Sequence, residues 1–252
     1  MTSLEMKKIY EGKSKIIYSS ENDFEYFIQF KDDLTALNGK KKGSFEGKGK
    51  LSQKIATLIY SELSDQGIRH HLIDPSPAVT LNSAPGNEGS FWKVKKLEMV
   101  PLEVVVRNRA AGSLVKRLGL QEGHHLKKPL VEFYFKSDAL QDPFVSDDQV
   151  LMLDLIDQKQ ILELKVEALK LNAALMQLFD RSQLILVDFK VEYGFSNLQQ
   201  ITLGDDLTPD CFRAWDKNTL EKYDKDRFRF DLGNVEQGYQ KIYEQLIQGR
   251  KK

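Results

Sequence analysis

Cysteine is almost absent from this chain: Cys211 is the one example in 252 residues. An intrachain disulfide and a cysteine-based zinc cluster are therefore excluded, which fits a reducing cytosol. Long apolar runs are also missing. Nothing approaches the eighteen or so residues of a membrane span, and the opening MTSLEMKKIYEGKSK lacks the apolar core of a secretory leader. A cytoplasmic protein with no membrane partner is expected. Nor does one sign of charge prevail. Lys+Arg and Asp+Glu are equal at 37 each, so no global field draws in nucleic acid. The four histidines fall in two adjacent pairs, His70–His71 and His124–His125, and strand neighbours face opposite ways. No metal-ligand spacing emerges, and Cys211 has no evident base. Serine or cysteine nucleophilic catalysis is unsupported.

What is present is ordinary globular composition, 41% hydrophobic and 29% charged, enough for one large domain or two intimate ones. Alternation predicts strands at Lys8–Tyr10, Ser14–Tyr18 and Phe24–Phe30. A helical period from Leu51 through Leu63 ends at Gly67. Strands follow at Ile68–Ile73, Phe91–Leu97 and Leu102–Val106, then a short helix from Ser113 to before Gly119. Val131–Phe135 reads as a strand leading into the loop Lys136–Val145. In the second half, Gln160–Phe179 reads as a helix whose stripe is Leu162, Val166, Leu169, Ala173 and Met176. LILVDFKVEYG is a strand ending at Gly194, and a second strand lies around Leu198–Leu203. Val235, Tyr239, Ile242, Tyr243 and Leu246 mark the last helix. This order indicates an α+β protein with a boundary near residue 100.

The densest chemistry lies in VVVRNRAAGSLVKRLG, Val104–Gly119. A buried strand runs into Arg107 and Arg109, then small residues Ala110–Gly112, then Ser113 as a candidate N-cap. Charge, close approach and helix-start N–H groups together describe a phosphate site; the bland alternative is two solvated arginines. Lys13 and Lys15 share a strand face beside Gly12, a loose phosphate cradle or simply a lysine-protected edge. Gly47–Lys50, GKGK, lacks the Walker spacing and reads best as a flexible solvated loop.

On Leu184–Tyr193, Asp188, Lys190 and Glu192 share one face of an otherwise buried strand. Such charges are costly unless paired or working. An ion-pair ladder is one reading; a cleft edge holding Mg²⁺ and phosphate is the other. Asp188 and Glu192 lie roughly 13 Å apart along the strand, so an outside carboxylate must join one of them. A simple hairpin would bring Asp205 nearer Asp188, a point that the sequence leaves open. Thr208–Asp216 and Lys222–Phe228 read as charged, aromatic loops, with Arg213 beside Trp215 more than plain surface.

VPLEVVVRNRAAGS, LVDFKVEYG and WDKNTLEKYDKDRF, with YEGKSK and KSDALQDP in the same order, resemble the characteristic segments of the phosphoribosylaminoimidazole-succinocarboxamide synthase (SAICAR synthetase) family. The resemblance spans about residues 7 to 247, without a carboxylase-type extension. It implies an ATP-dependent ligase of purine biosynthesis that condenses CAIR with L-aspartate, giving SAICAR, ADP and phosphate. It further implies a mostly antiparallel nucleotide-binding lobe, residues 1–100, and a larger α+β lobe, 101–252, that binds substrate and magnesium across a cleft. Arg107, Ser113 and Arg213 would bind the ribose 5′-phosphate; Lys13 and Lys15 the ATP phosphates. Lys96 and Met99 would border the adenine, and Glu192 and Asp205 would hold Mg²⁺. Lys190 would lie near the transferring phosphate and act catalytically. Lys136 and Asp142 would line the imidazole and aspartate side, Asp142 being the candidate proton acceptor. Lys225, also counted as catalytic, and Asp226 would close over the site. A homodimer is implied. Asn38 stands where many members carry aspartate, and Ser52–Gln53 replaces a frequent Asn–Asn pair.

Two other classes share parts of this pattern. A kinase would use Asp188, Lys190 and Asp205 but would not need the RNRAAGS site. A non-catalytic nucleotide sensor would more naturally have lost Glu192 or Asp205.

Overall fold

Antiparallel pairing of consecutive strands builds the first sheet. The computed structural model describes residues 7–36, 39–73, 79–80 and 90–251; Asn38 lies outside them. Strands β1 (Lys8–Glu11), β2 (Lys15–Ser19) and β3 (Glu25–Phe30) form a meander. The hairpin β4 (Asp33–Ala36) and β5 (Lys41–Ser44) follows. Helix α1 (Lys48–Asp65) comes next, then β6 (Val79–Thr80) and β7 (Ser90–Lys95). The first sheet has the order β1-β2-β3-β7-β6. Helix α1 begins at Gly47, which has no side chain to cap it. Asp32 supplies the cap instead, accepting from Gly47 N–H at 3.1 Å and Gly49 N–H at 2.8 Å, where a carboxylate also suits the helix dipole.

The second sheet carries the deeper core. Strand β8 (Glu98–Arg109), helix α2 (Ser113–Leu118), β9 (His125–Phe135) and β10 (Phe144–Val145) precede α3 (Asp147–Met152). Helix α4 (Gln158–Arg181), β11 (Leu184–Phe195), β12 (Ile201–Leu203) and β13 (Phe212–Asp216) follow, then α5 (Asp226–Arg229) and α6 (Val235–Arg250). The sheet runs β10-β9-β8-β11-β12, with β13 also on β11. Every pairing between these strands is antiparallel, which establishes the α+β class. Helices α1, α4 and α6 pack on one another around Ile59, Leu63, Leu171, Leu178, Ile242 and Leu246.

Several expectations are corrected. Ile68–Ile73 is no strand: His71 N–H donates to Leu203 O at 2.9 Å, while its carbonyl accepts from Lys95 N–H at 2.7 Å. Split between two partners, the segment stitches the sheets together instead of extending either. Phe212–Asp216 is strand, not loop, because β11 is long enough to pair with β12 at one end and β13 at the other. The expected stripe of α4 faces outward, with Leu162, Val166, Leu169, Ala173 and Met176 exposed. The buried face is Ile161, Leu164, Ala168, Leu171, Leu175 and Leu178. Both series keep the helical period, and Asn172 made the inner one look polar. Asn172 is satisfied by reciprocal bonds with Asn108 at 2.9 and 3.0 Å, so its burial is tolerated.

His71 is 3% exposed, and its Nε2 has no hydrogen-bond partner. Burial, then Lys15, lowers its pKa from 6.5 to about 3 against the pull of Asp205. The unfolded chain therefore takes up a proton near pH 6.5 that the folded one refuses until about pH 3. Stability is full above the first value and falls toward the second, by about 1.4 kcal/mol per pH unit. His71→Phe should flatten that acid limb by about one proton between pH 6 and 4, as read from urea melts at several pH values. An unchanged limb would show that other groups govern acid unfolding.

Candidate active site

The charged face of β11 looks into a cleft of about 1210 Å³ between the two sheets. The β1–β2 turn, Gly12 to Lys15, lines one side. Lys136, Asp142, Lys190, Glu192, Asp205, Asp206, Asp210 and Lys225 line the other. The register of β11 and β12 decides which carboxylates meet. Tyr193 pairs with Leu203, and Gly204 N–H donates to Glu192 O at 3.0 Å. Asp205 thus lies beside Glu192, not Asp188 as a simple hairpin would have it. Lys15 Nζ donates to Asp205 Oδ1 at 2.8 Å and also bonds Asp206. Lys136 donates to Glu192 at 2.6 Å, and Lys190 bonds Glu103.

Burial should raise the Asp205 carboxyl, but Lys15 and Lys190 outweigh it and hold the group ionised. Neighbouring Asp206 is pushed up, by burial and by Asp205, and its Oδ2 is buried without a hydrogen-bond partner. Asp205, Asp206 and Cys211 place one ligand atom each within 4.8 Å of one another. Burial and the two aspartates raise the Cys211 thiol far above its usual range, so the donors on offer are oxygens. That donor set suits a hard divalent cation such as Mg²⁺.

A second cavity of about 340 Å³ adjoins the first, and Glu103, Lys190, Asp210 and Cys211 line both. Its floor is a buried guanidinium cluster. Asp188, 2% exposed, accepts from Arg107 Nη1 at 2.9 Å and from Arg213 Nη1 at 2.8 Å. Glu132 fixes Arg107 Nε at 2.7 Å. Arg107 Nη2 donates to Ser113 Oγ at 2.9 Å and to the Tyr134 hydroxyl at 3.2 Å. Ser113 is the first helical residue and not the N-cap; Gly112 holds that position, with no side-chain cap. Asp226 is buried and lines neither cavity; it accepts from Arg213 Nε at 2.9 Å and Arg229 Nη1 at 2.5 Å. Burial works against the Arg213 charge, but Asp188 and Asp226 secure it. Arg109 lines neither cavity and donates to Gly123 O at 3.3 Å.

Between the cavities lies Asp210. It accepts from Lys48 at 2.5 Å and the Tyr239 hydroxyl at 2.9 Å, with Lys225 at 3.3 Å. Lys225 and Lys48 overcome burial and lower Asp210 to about 2. Burial lowers the Lys225 pKa; Asp210 opposes this, and Arg229 and Lys48 reinforce it. The GKGK loop is thus no solvated loop: Lys48 is 1% exposed.

Among the residues expected from the sequence, Lys13, Lys15, Lys136, Asp142, Lys190, Glu192, Asp205 and Lys225 line the cleft. Arg107, Ser113 and Arg213 line the second cavity. Lys96 and Met99 lie outside both. Lys96 stands over the Tyr26 ring, while the Met99 sulfur occupies space that a Cβ on Gly194 or Gly204 would fill, 3.1 Å away in each case. Glu103, Glu132, Tyr134, Asp210, Lys48 and Arg229 were missed. Period-two reading of β8 puts Glu103 on the face of Arg107, and on β9 it puts Glu132 with Tyr134. Nothing local marks Lys48 or Asp210.

An antiparallel α+β frame with a lysine- and carboxylate-lined cleft opening onto an arginine pocket has the form of an ATP-dependent ligase. The SAICAR synthetase family profile matches residues 8–246. The phosphoribosylaminoimidazole-succinocarboxamide synthase of Desulfitobacterium hafniense (strain DSM 10664 / DCB-2) is 44% identical over 238 residues, 94% of this chain and 95% of the relative. The crystal structure of that synthase from Ehrlichia chaffeensis superposes with a TM-score of 0.87 at 38% identity, covering 95% and 98% of the two chains. A SAICAR synthetase in complex with ADP gives 0.86 at 40% identity, covering 96% and 97%. The chain belongs to the SAICAR synthetase family. No helix among the described residues is long and apolar enough to cross a membrane.

Gly112, with φ 56° and ψ −125°, occupies backbone space that side chains disfavour. A Cβ there would come within 2.6 Å of Arg213 Nη2. Gly112→Ala should therefore cost about 1–3 kcal/mol, read as a lowered urea midpoint at unchanged m-value. A cost under about 0.5 kcal/mol, the range of ordinary surface changes, would mean that the backbone relaxes out of this region and that Arg213 moves aside as well.

Proposed function

We propose that this chain condenses CAIR with L-aspartate, cleaving ATP to ADP and phosphate through an acyl-phosphate intermediate. The observation that carries the reading is the wall shared by the two cavities. A phosphorylated acid anchored at the arginine pocket would present its carboxylate beside Lys190, where the terminal phosphoryl of a nucleotide in the larger cleft would also arrive. Arg107, Ser113 and Arg213 take the ribose 5′-phosphate. Lys13 and Lys15 take the nucleotide phosphates, and the Lys96–Met99 segment borders the adenine. The larger lobe, residues 101–252, thus carries the substrate and metal sites, and residues 1–100 cover the nucleotide.

A carboxylate resists attack by an amine because it is anionic and resonance-stabilised. Phosphorylation removes both obstacles, provided the charge that builds up is neutralised in place. Lys190, held charged by Glu103, serves that purpose. Glu192 and Asp205 would hold Mg²⁺, which supplies further charge neutralisation on the phosphates. The aspartate amine must then arrive neutral and aligned. Lys136 binds on that side, with Asp142 as proton acceptor; its Oδ1 is steadied by Ser137 N–H at 2.8 Å. Lys225 covers the site from the other flank, and Asp226 steadies Arg213. The partners are small molecules, the compartment is the cytoplasm, and the assembly is a homodimer. Sedimentation equilibrium at twice the chain mass checks that assembly, and a monomer would reject it.

Purified protein with MgATP and CAIR should release ADP strongly only when L-aspartate is added, with a product heavier than CAIR by one aspartyl condensation. Lys190→Met should lower kcat by at least about 10²-fold while ADP binding persists. Nucleotide binding without turnover under any combination would overturn the ligase and favour a sensor.

A further inference from the structure

Each carboxylate that the proposed function gives to the metal is already engaged by a lysine. Lys15 Nζ lies 2.8 Å from Asp205 Oδ1 and also reaches Asp206; Lys136 Nζ lies 2.6 Å from Glu192 Oε2. The Lys15 contact is the more enclosed, with side chains 20% exposed for Lys15, 8% for Asp205 and 3% for Asp206. Asp205 and Asp206 thus converge on one cation.

We infer that Lys15 is a tethered stand-in for the divalent cation, neutralising Asp205 and Asp206 in the nucleotide-free protein and passing to the nucleotide phosphates when the metal takes its place. The inference rests on the reading of Glu192 and Asp205 as metal ligands. A carboxylate pair left bare in a buried wall would repel itself, and one ammonium removes most of that cost. A divalent ion brings twice the charge and cannot share those oxygens with the lysine. Lys15 is the first residue of β2, and its carbonyl accepts from Gly12 N–H at 2.9 Å. Its backbone is therefore fixed, and only the four-carbon stem must swing. The displaced ammonium remains in the cleft, where phosphate oxygens accept it. Metal and nucleotide then bind cooperatively, each strengthening the other by the same factor, and metal alone must compete with a lysine.

The test is Mn²⁺ binding by electron paramagnetic resonance on full-length protein without nucleotide. Lys15→Met should bind Mn²⁺ at least tenfold more tightly than wild type, and its melting temperature should rise more on adding Mg²⁺. Lys8→Met, whose exposed lysine pairs with Glu11 at 2.9 Å, should bind Mn²⁺ as wild type does. Metal-free ADP binding should weaken in Lys15→Met. Equal or weaker Mn²⁺ binding by Lys15→Met would overturn the exchange. A wild type that takes up no Mn²⁺ even with ADP would instead overturn the metal assignment, and the exchange with it. A Lys15→Met protein already unfolded in chelator yet restored by Mg²⁺ would support the exchange; one not restored would reject it.

Discussion

Asp188 is the point on which the site turns. One buried carboxylate separates two guanidinium groups that would otherwise repel at close range. Removing it would leave two cations in a low-dielectric floor, a far larger loss than any single hydrogen bond. Around it, Glu132 and Asp226 take the outer edges of the same arginines. The arginines are thereby preorganised: their side-chain entropy is spent during folding, not when an anion arrives. Three acidic residues, Asp188, Glu132 and Asp226, thus hold the two guanidinium groups in place. They set the direction of both side chains.

The larger cleft follows the same rule with lysines. Its cations and carboxylates balance almost one for one, in keeping with a chain of zero formal net charge. In the proposed function, attraction for highly charged ligands here comes from exchangeable pairs and not from a surplus of one sign. Such a site also remains tolerable when empty. Phe179 of α4, Phe189 of β11 and Phe212 of β13 supply what the charges cannot, a packed apolar backing behind the sheet.

Legibility in the sequence was uneven, for physical reasons. Period-two alternation on β11 exposed Asp188, Lys190 and Glu192 because charges in a buried strand are conspicuous. It could not say that Asp188 faces arginines while Glu192 faces Asp205, since that depends on the pairing of Gly204 with Glu192. Resemblance to a known family supplied most of the remaining candidates; the cleft gathers Lys136, Asp142 and Lys225, while Lys96, Met99 and Asp226 line neither cavity. Helix α4 went wrong because two apolar series share one period, and only the sheet behind it selects Ile161 and Leu164 over Leu162 and Val166. Lys48 looked like solvated loop because glycines and lysines usually are; its partner Asp210 is 162 residues away, beyond the reach of any local pattern.

That partnership bears on how the molecule divides. A lysine at the positive end of a helix is electrostatically misplaced, and at 1% exposure water does not rescue it. Its tolerance depends on Asp210, in the other half of the chain. Severed near residue 100, each fragment would inherit half of an ion pair, one an orphan ammonium and the other a carboxylate left with Lys225 and the Tyr239 hydroxyl. The expected boundary near residue 100 is therefore not a clean seam: Lys15 and Lys48 find their counter-ions, Asp205 and Asp210, beyond it.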